Sequence, residues 1–166
     1  MSEARRIEVD LASQTLRLLA GGTVRARYDI STALRGAGEE YGSERTPRGL
    51  HVIRAKIGAG LPRGAVLVGR RPTGDIWSPE LQATHPRRDW ILTRILWLSG
   101  KEPGRNRLGN VDSMRRFIYI HGSPETATMG RPGSHGCIRM RNDDILALFD
   151  AVPVGTEVHI AEARET

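Results

Sequence analysis

Apolar and polar positions alternate with period two along much of this chain, which is the pattern of strands that turn one face inward. Ile7, Val9 and Leu11 stand between polar neighbours, and Leu16 and Leu18 repeat the pattern after Ala12-Ser13-Gln14. Gly21-Gly22 then leads into an alternating stretch at 24–30, so the opening of the chain predicts a β-meander. A Gly- and Glu-rich loop at 36–49 separates it from predicted strands at 51–56 and 66–68. The strongly apolar run at 91–98 predicts a buried strand, and Phe117-Ile118-Tyr119-Ile120 predicts one that ends at His121. One helix is predicted at 143–150. Asn142 is its expected cap, Asp143 and Asp144 suit its positive N-terminus, and Ile145, Leu146, Leu148 and Phe149 form its apolar side. Pro153-Val154-Gly155 turns the chain into a last strand at 157–160. Segments 69–90 and 99–116 show no clear period. Loops of that length in a compact domain are usually functional or disordered, and the first is read as a lid, a substrate wall or an ordered surface loop.

These elements predict a mainly β domain, a sandwich or barrel-like arrangement of antiparallel sheets with one or two short helices at the edges. The 166 residues fit a single domain with one core. One cysteine excludes an internal disulfide. Met1-Ser2-Glu3-Ala4-Arg5-Arg6 runs straight into a strand pattern, with no apolar stretch of signal-peptide or membrane-span length. If Met1 is the native start, the expected location is the cytoplasm; otherwise it is the cell envelope. No membrane partner is expected.

The net charge of +6 raises nucleic acid as a partner, but the arginines are scattered, aromatics make up 5 %, and no stacking platform or nucleic-acid motif is present. No nucleic acid is therefore expected. Arginine suits carboxylates, which it grips with two parallel hydrogen bonds, although a solvated basic surface accounts for most of these side chains without any ligand.

The sole cysteine lies in Gly133-Ser134-His135-Gly136-Cys137-Ile138-Arg139-Met140, downstream of His121-Gly122. A lone cysteine is most often a small buried hydrophobe, yet a Gly/Ser/Pro-rich turn is a poor place for core packing. A thiol attacks well when ionised, and a nearby imidazole takes its proton and holds the ion pair. Glycines let the turn aim backbone N–H groups at a developing oxyanion. Zinc on His121, His135 and Cys137 is the rival reading, but structural zinc usually uses paired spacings that are absent here, so no metal or cofactor is expected.

These residues resemble the L,D-transpeptidases of bacterial peptidoglycan, the YkuD-type catalytic domain. The signature reads His121-Gly122, then Ser134-His135-Gly136-Cys137, then Ile138-Arg139. Ser31-Thr32, Thr46-Pro47-Arg48-Gly49 and Asn142-Asp143-Asp144-Ile145 extend the resemblance over about 6–160. It implies Cys137 as nucleophile, His121 as general base, and the Gly122 carbonyl as the group that orients the imidazole. The N–H groups of His135, Gly136 and Cys137 would form the oxyanion hole, with His135 a second imidazole near the thiolate. Ser134 would fix the turn and adjoin substrate, and Arg139 would hold a substrate carboxylate or brace the loop. The implied substrate is a peptidoglycan stem peptide, a tetrapeptide muropeptide cleaved before its terminal D-alanine through a thioester, and a covalent carbapenem adduct is implied too. Water as acceptor makes the enzyme an L,D-carboxypeptidase of murein recycling, the outcome favoured because the chain resembles the short leaderless branch; an amine acceptor makes it a cross-linking transpeptidase. A domain that binds stem peptides without turnover would be expected to have lost Cys137 or His121, and both are present.

Overall fold

The alternating segments fold as strands because one face of each is buried. In the computed structural model, which describes residues 4–163, β1 (Arg5–Asp10) pairs antiparallel with β2 (Thr15–Ala20), placing Ile7 opposite Leu18 and Val9 opposite Leu16. All four side chains are buried. The chain continues through β3 (Thr23–Ser31), β4 (Gly49–Ile57), β5 (Ala65–Val68), β6 (Arg71–Ile76), α1 (Pro79–Thr84), β7 (Ile91–Gly100), β8 (Tyr119–Gly122), β9 (Ile138–Met140), α2 (Asn142–Ala151) and β10 (Glu157–Ala161). The strands form one sheet in the order β4-β10-β1-β2-β3-β9-β8-β7-β5-β6, and an additional β4–β7 pairing closes it on itself. The result is a mainly β, barrel-like domain. Two pairings, β1–β10 and β8–β9, are parallel, which departs from the all-antiparallel expectation.

The enclosed core is formed by Ile7, Val9, Leu16, Leu18, Ile30, Ile53, Leu96, Leu98, Ile120, Ile138 and Met140, and α2 adds Ile145, Leu148 and Phe149. Each such side chain contributes on the order of 1.5–3 kcal/mol on burial. Thus β8 and β9, the strands that carry the candidate chemistry, are inner walls of the main core and are held rigidly.

Several local expectations need correction. Arg141, not Asn142, is the N-cap of α2, and it caps through no side chain. Asn142 is instead buried inside the first turn and accepts a hydrogen bond from Thr93 Oγ1 at 2.7 Å. The strand leading to His121 begins at Tyr119, because Phe117 is exposed at φ 55°. Segment 69–90 contains β6 and α1. Every residue of β6 is exposed, so it shows no alternation, while α1 starts where Ser78 Oγ accepts from Leu81 N–H at 3.0 Å with Pro79 in the first turn. Segment 99–116 is tied down by buried polar groups rather than apolar ones: Asn106 donates to the Arg48 and Leu50 carbonyls, and His51 Nε2 lies 2.8 Å from Ser113 Oγ. Among the described residues no helix is long and apolar enough to cross a membrane. The reading of Met1-Ser2-Glu3 as a native start falls outside the described residues.

Candidate active site

Parallel pairing of β8 with β9 sets Ile120 opposite Ile138 and His121 opposite Arg139. Side chains two apart on a strand share a face, so Tyr119 and His121 project on the same side as Cys137 and Arg139. His121 and Cys137 are thereby diagonal neighbours, within the range over which long side chains meet. Cys137 is half-buried beside Leu67, Ile95 and Tyr119. Its Sγ accepts from Tyr119 N–H at 3.4 Å and lies 3.3 Å from the Phe117 carbonyl oxygen.

His121 is fully buried, with Nδ1 2.6 Å from the Gly122 carbonyl oxygen. A carbonyl only accepts, so Nδ1 carries the proton and Nε2 presents a lone pair. Nε2 has no hydrogen-bond partner. A buried, orphaned acceptor is costly in a structural histidine and useful in one that receives a proton. Burial lowers the His121 pKa from its ordinary value, opposed by the charge of Asp89 and the bond to Gly122, and Arg139 lowers it further. Burial likewise pushes the Cys137 thiol up to about 12, with Asp89 raising it and the Tyr119 N–H, Arg139 and Arg116 lowering it. Burial thus pulls both groups toward their neutral forms, against the ion pair that a nearby imidazole would hold.

The turn before Cys137 is fixed by its own hydrogen bonds. Ser134 is buried; its Oγ donates to the Cys137 carbonyl at 2.6 Å and accepts from Gly136 N–H at 3.2 Å. Both bonds are internal, which corrects the expectation that Ser134 adjoins substrate. Gly136 N–H is committed in the same way and leaves the expected oxyanion set. The N–H groups of His135 and Cys137 have no acceptor among the described residues. Gly136 itself has φ 133°, a conformation open mainly to glycine.

Cys137 and the exposed His135 open onto a cleft also lined by Arg70, Asp89, Arg116 and Tyr119. Arg139 is half-buried and paired with Asp89 at 3.4 Å, so it braces the wall from segment 69–90. Arg70 donates to Tyr119 Oη at 3.0 Å with its guanidinium 4.6 Å from the Trp97 ring centre. Arg116 donates to the carbonyls of Gly38 and Arg45 and to Ser43 Oγ, tying loop 36–48 to the cleft. Asp89, Arg70, Arg116 and Tyr119 were missed from sequence. Their only signal was their place in or next to long unassigned segments. No group of three or more His, Cys, Asp or Glu side chains suited to a metal occurs among the described residues.

Close packing behind His121 depends on Gly122. A β-carbon there would lie 2.5 Å from Asn142 Oδ1 and 2.6 Å from the Leu92 carbonyl oxygen. Thr93, at φ 73° in the adjacent bulge between Leu92 and Ile95, holds Asn142 in place and also accepts from Gly64 N–H at 2.9 Å. Gly122→Ala is expected to cost about 1–3 kcal/mol from overpacking, read as a fall in Tm of roughly 2–4 °C per kcal/mol in thermal denaturation. An unchanged Tm would show that the strand can shift.

Comparison with known proteins gives a consistent picture. A family model described as the L,D-transpeptidase catalytic domain (YkuD) matches residues 4–160. The chain is 53 % identical over 47 residues to a probable L,D-transpeptidase ErfK/SrfK of Salmonella typhimurium, a match covering 28 % of this chain and 15 % of that protein. It is 46 % identical over 100 residues to a putative L,D-transpeptidase encoded in the ATP synthase subunits region of Fuscovulum blasticum, covering 59 % of this chain and 49 % of that one. In fold it resembles L,D-transpeptidase 3 of Mycobacterium tuberculosis, solved with a faropenem-derived adduct, at a TM-score of 0.60 and 17 % identity over 96 % of this chain and 62 % of that one. The matches thus span less than two thirds of each of these relatives.

Proposed function

The chain belongs to the YkuD family of L,D-transpeptidase catalytic domains, and from that premise we propose that it performs cysteine-dependent acyl transfer on peptidoglycan stem peptides, cleaving the bond before a terminal D-alanine. The observation that carries the reading is His121, whose buried Nε2 lacks a partner and shares a strand face with Cys137. In the first half-reaction the Cys137 proton passes to His121 Nε2 as Sγ bonds to the carbonyl carbon of the third stem residue. The oxyanion formed there is met by the free N–H groups of the turn. Collapse breaks the carbon–nitrogen bond, His121 returns the proton to the departing D-alanine amine, and a thioester remains.

For the second half-reaction we propose water as the acceptor, giving an L,D-carboxypeptidase. Arg70, Arg116 and His135 line the cleft around the thiol against a single carboxylate, Asp89, which is already paired with Arg139. Such a wall draws in a substrate carboxylate and opposes an incoming ammonium group, whose amine would have to lose its proton before attack. A thioester open to water hydrolyses unless an amine is bound and oriented to compete. Mass spectrometry of a tetrapeptide muropeptide incubated alone and with an amine donor is expected to show tripeptide and free D-alanine in both reactions. Cross-linked dimers as the main product would transfer the reading to the transpeptidase, with the first half-reaction unaltered.

A further inference from the structure

Thr46 stands outside the cleft, fully buried, and its hydroxyl is used twice. It donates to the Gly136 carbonyl oxygen at 2.9 Å and accepts from Ala33 N–H at 3.0 Å. The partner it fixes belongs to the peptide that joins Gly136 to Cys137. A trans peptide is planar, with its C=O and N–H pointing in opposite directions. With the carbonyl anchored inward on Thr46, the Cys137 N–H must point away from the interior, and it has no acceptor among the described residues. Gly136, at φ 133°, is the residue through which this peptide could otherwise rotate, because glycine opposes such rotation least. A rotated peptide would turn a carbonyl, not a donor, toward the thiol side.

We infer that Thr46 is a positioning residue for acyl transfer: its hydroxyl sets the Gly136–Cys137 peptide so that the Cys137 N–H faces the developing oxyanion. The inference rests on the reading of Cys137 as nucleophile. Ser134 and Leu34 pin the rest of the turn, through the Cys137 carbonyl and the Ser134 carbonyl respectively. Neither of those bonds constrains the peptide that carries the Cys137 donor. Among the described residues Thr46 alone does so, from a position 90 residues away in the chain.

The test compares Thr46→Val, which keeps the shape and removes the hydroxyl, with Thr46→Ser, which keeps the hydroxyl. Loss of one oxyanion donor lowers kcat by about 10²–10³-fold in comparable sites. Thr46→Val is expected to fall by that factor on a tetrapeptide with KM within about twofold, because the donor acts only as charge develops. Alkylation of Cys137 by iodoacetamide forms no oxyanion, so its rate should match wild type, and Thr46→Ser should restore kcat to within about fivefold. A Val variant with kcat near wild type overturns the inference. So does a parallel fall in kcat and alkylation, which would place the effect on the thiol or the fold, and so does a Ser variant as impaired as Val. If Thr46→Val does not fold, Thr46→Ala, which leaves room for a water on the Gly136 carbonyl, is held to the same criteria. Turnover that persists in Cys137→Ala would instead defeat the nucleophile reading, and is scored separately.

Discussion

Cys137→Ala is expected to lower turnover of a tetrapeptide muropeptide by on the order of 10⁴–10⁶-fold, the range seen when a covalent nucleophile is removed and only binding and oxyanion stabilisation remain. The loss is chemical. The thiol is half-buried at the rim of a small apolar cluster, and its polar contacts are a 3.4 Å bond from Tyr119 N–H and a 3.3 Å contact with the Phe117 carbonyl. Removing it should therefore cost about 1 kcal/mol, a Tm change of roughly 2–4 °C for a domain of this size. The same variant tests the thioester. Wild-type protein treated with a carbapenem is expected to gain one covalent adduct per chain by intact mass spectrometry, and Cys137→Ala none. Preserved turnover, or an adduct that survives the substitution, would remove the thiol from the mechanism.

What could be read from the sequence divides along physical lines. β1 and β2 were legible because Ile7, Val9, Leu16 and Leu18 all face one core, so burial wrote period two into them. β6 was illegible for the converse reason: all its residues are exposed. α1 has no buried residue, and only Ser78-Pro79 marked its start. Asn142 looked like a cap because its residue type is common there, yet the tight approach of Gly122 and Thr93 recruits its side chain inward. In the site, Cys137 and His121 stood out as chemically rare residues in a turn and at a strand end. Asp89 and Arg70 did not, and Thr46 entered only within the Thr46-Pro47-Arg48-Gly49 segment with no role of its own, because their part depends on long-range packing that no local spacing records. The pull of burial on the two pKa values was equally hidden, since it depends on packing and not on residue type.

That pull makes the pH behaviour of His121 the second large expected effect. A base must be unprotonated to accept the thiol proton, and burial lowers the His121 pKa below its ordinary value of 6.5. Activity should therefore hold through neutral pH and fall only as the pH drops through that lowered pKa, about tenfold per unit once protonation dominates. The thiol carries the opposite sign. Pushed up to about 12, it holds little thiolate at neutral pH, so iodoacetamide labelling should be slower than that of an unperturbed cysteine. Labelling should climb about tenfold per unit toward pH 9 without a plateau. His121→Ala is expected to reduce kcat/KM by about 10²–10⁴-fold and to abolish the acid limb, whereas His135→Ala, at an exposed position, should leave that limb where it is. Asp89→Asn sharpens the assignment. Asp89 raises the His121 pKa, so neutralising it should move the acid limb still lower if His121 is the group that titrates. An acid limb that follows His135 would reverse the roles of the two histidines. A labelling plateau at neutral pH would reveal a resting thiolate–imidazolium pair, and with it a site more polar than its burial implies.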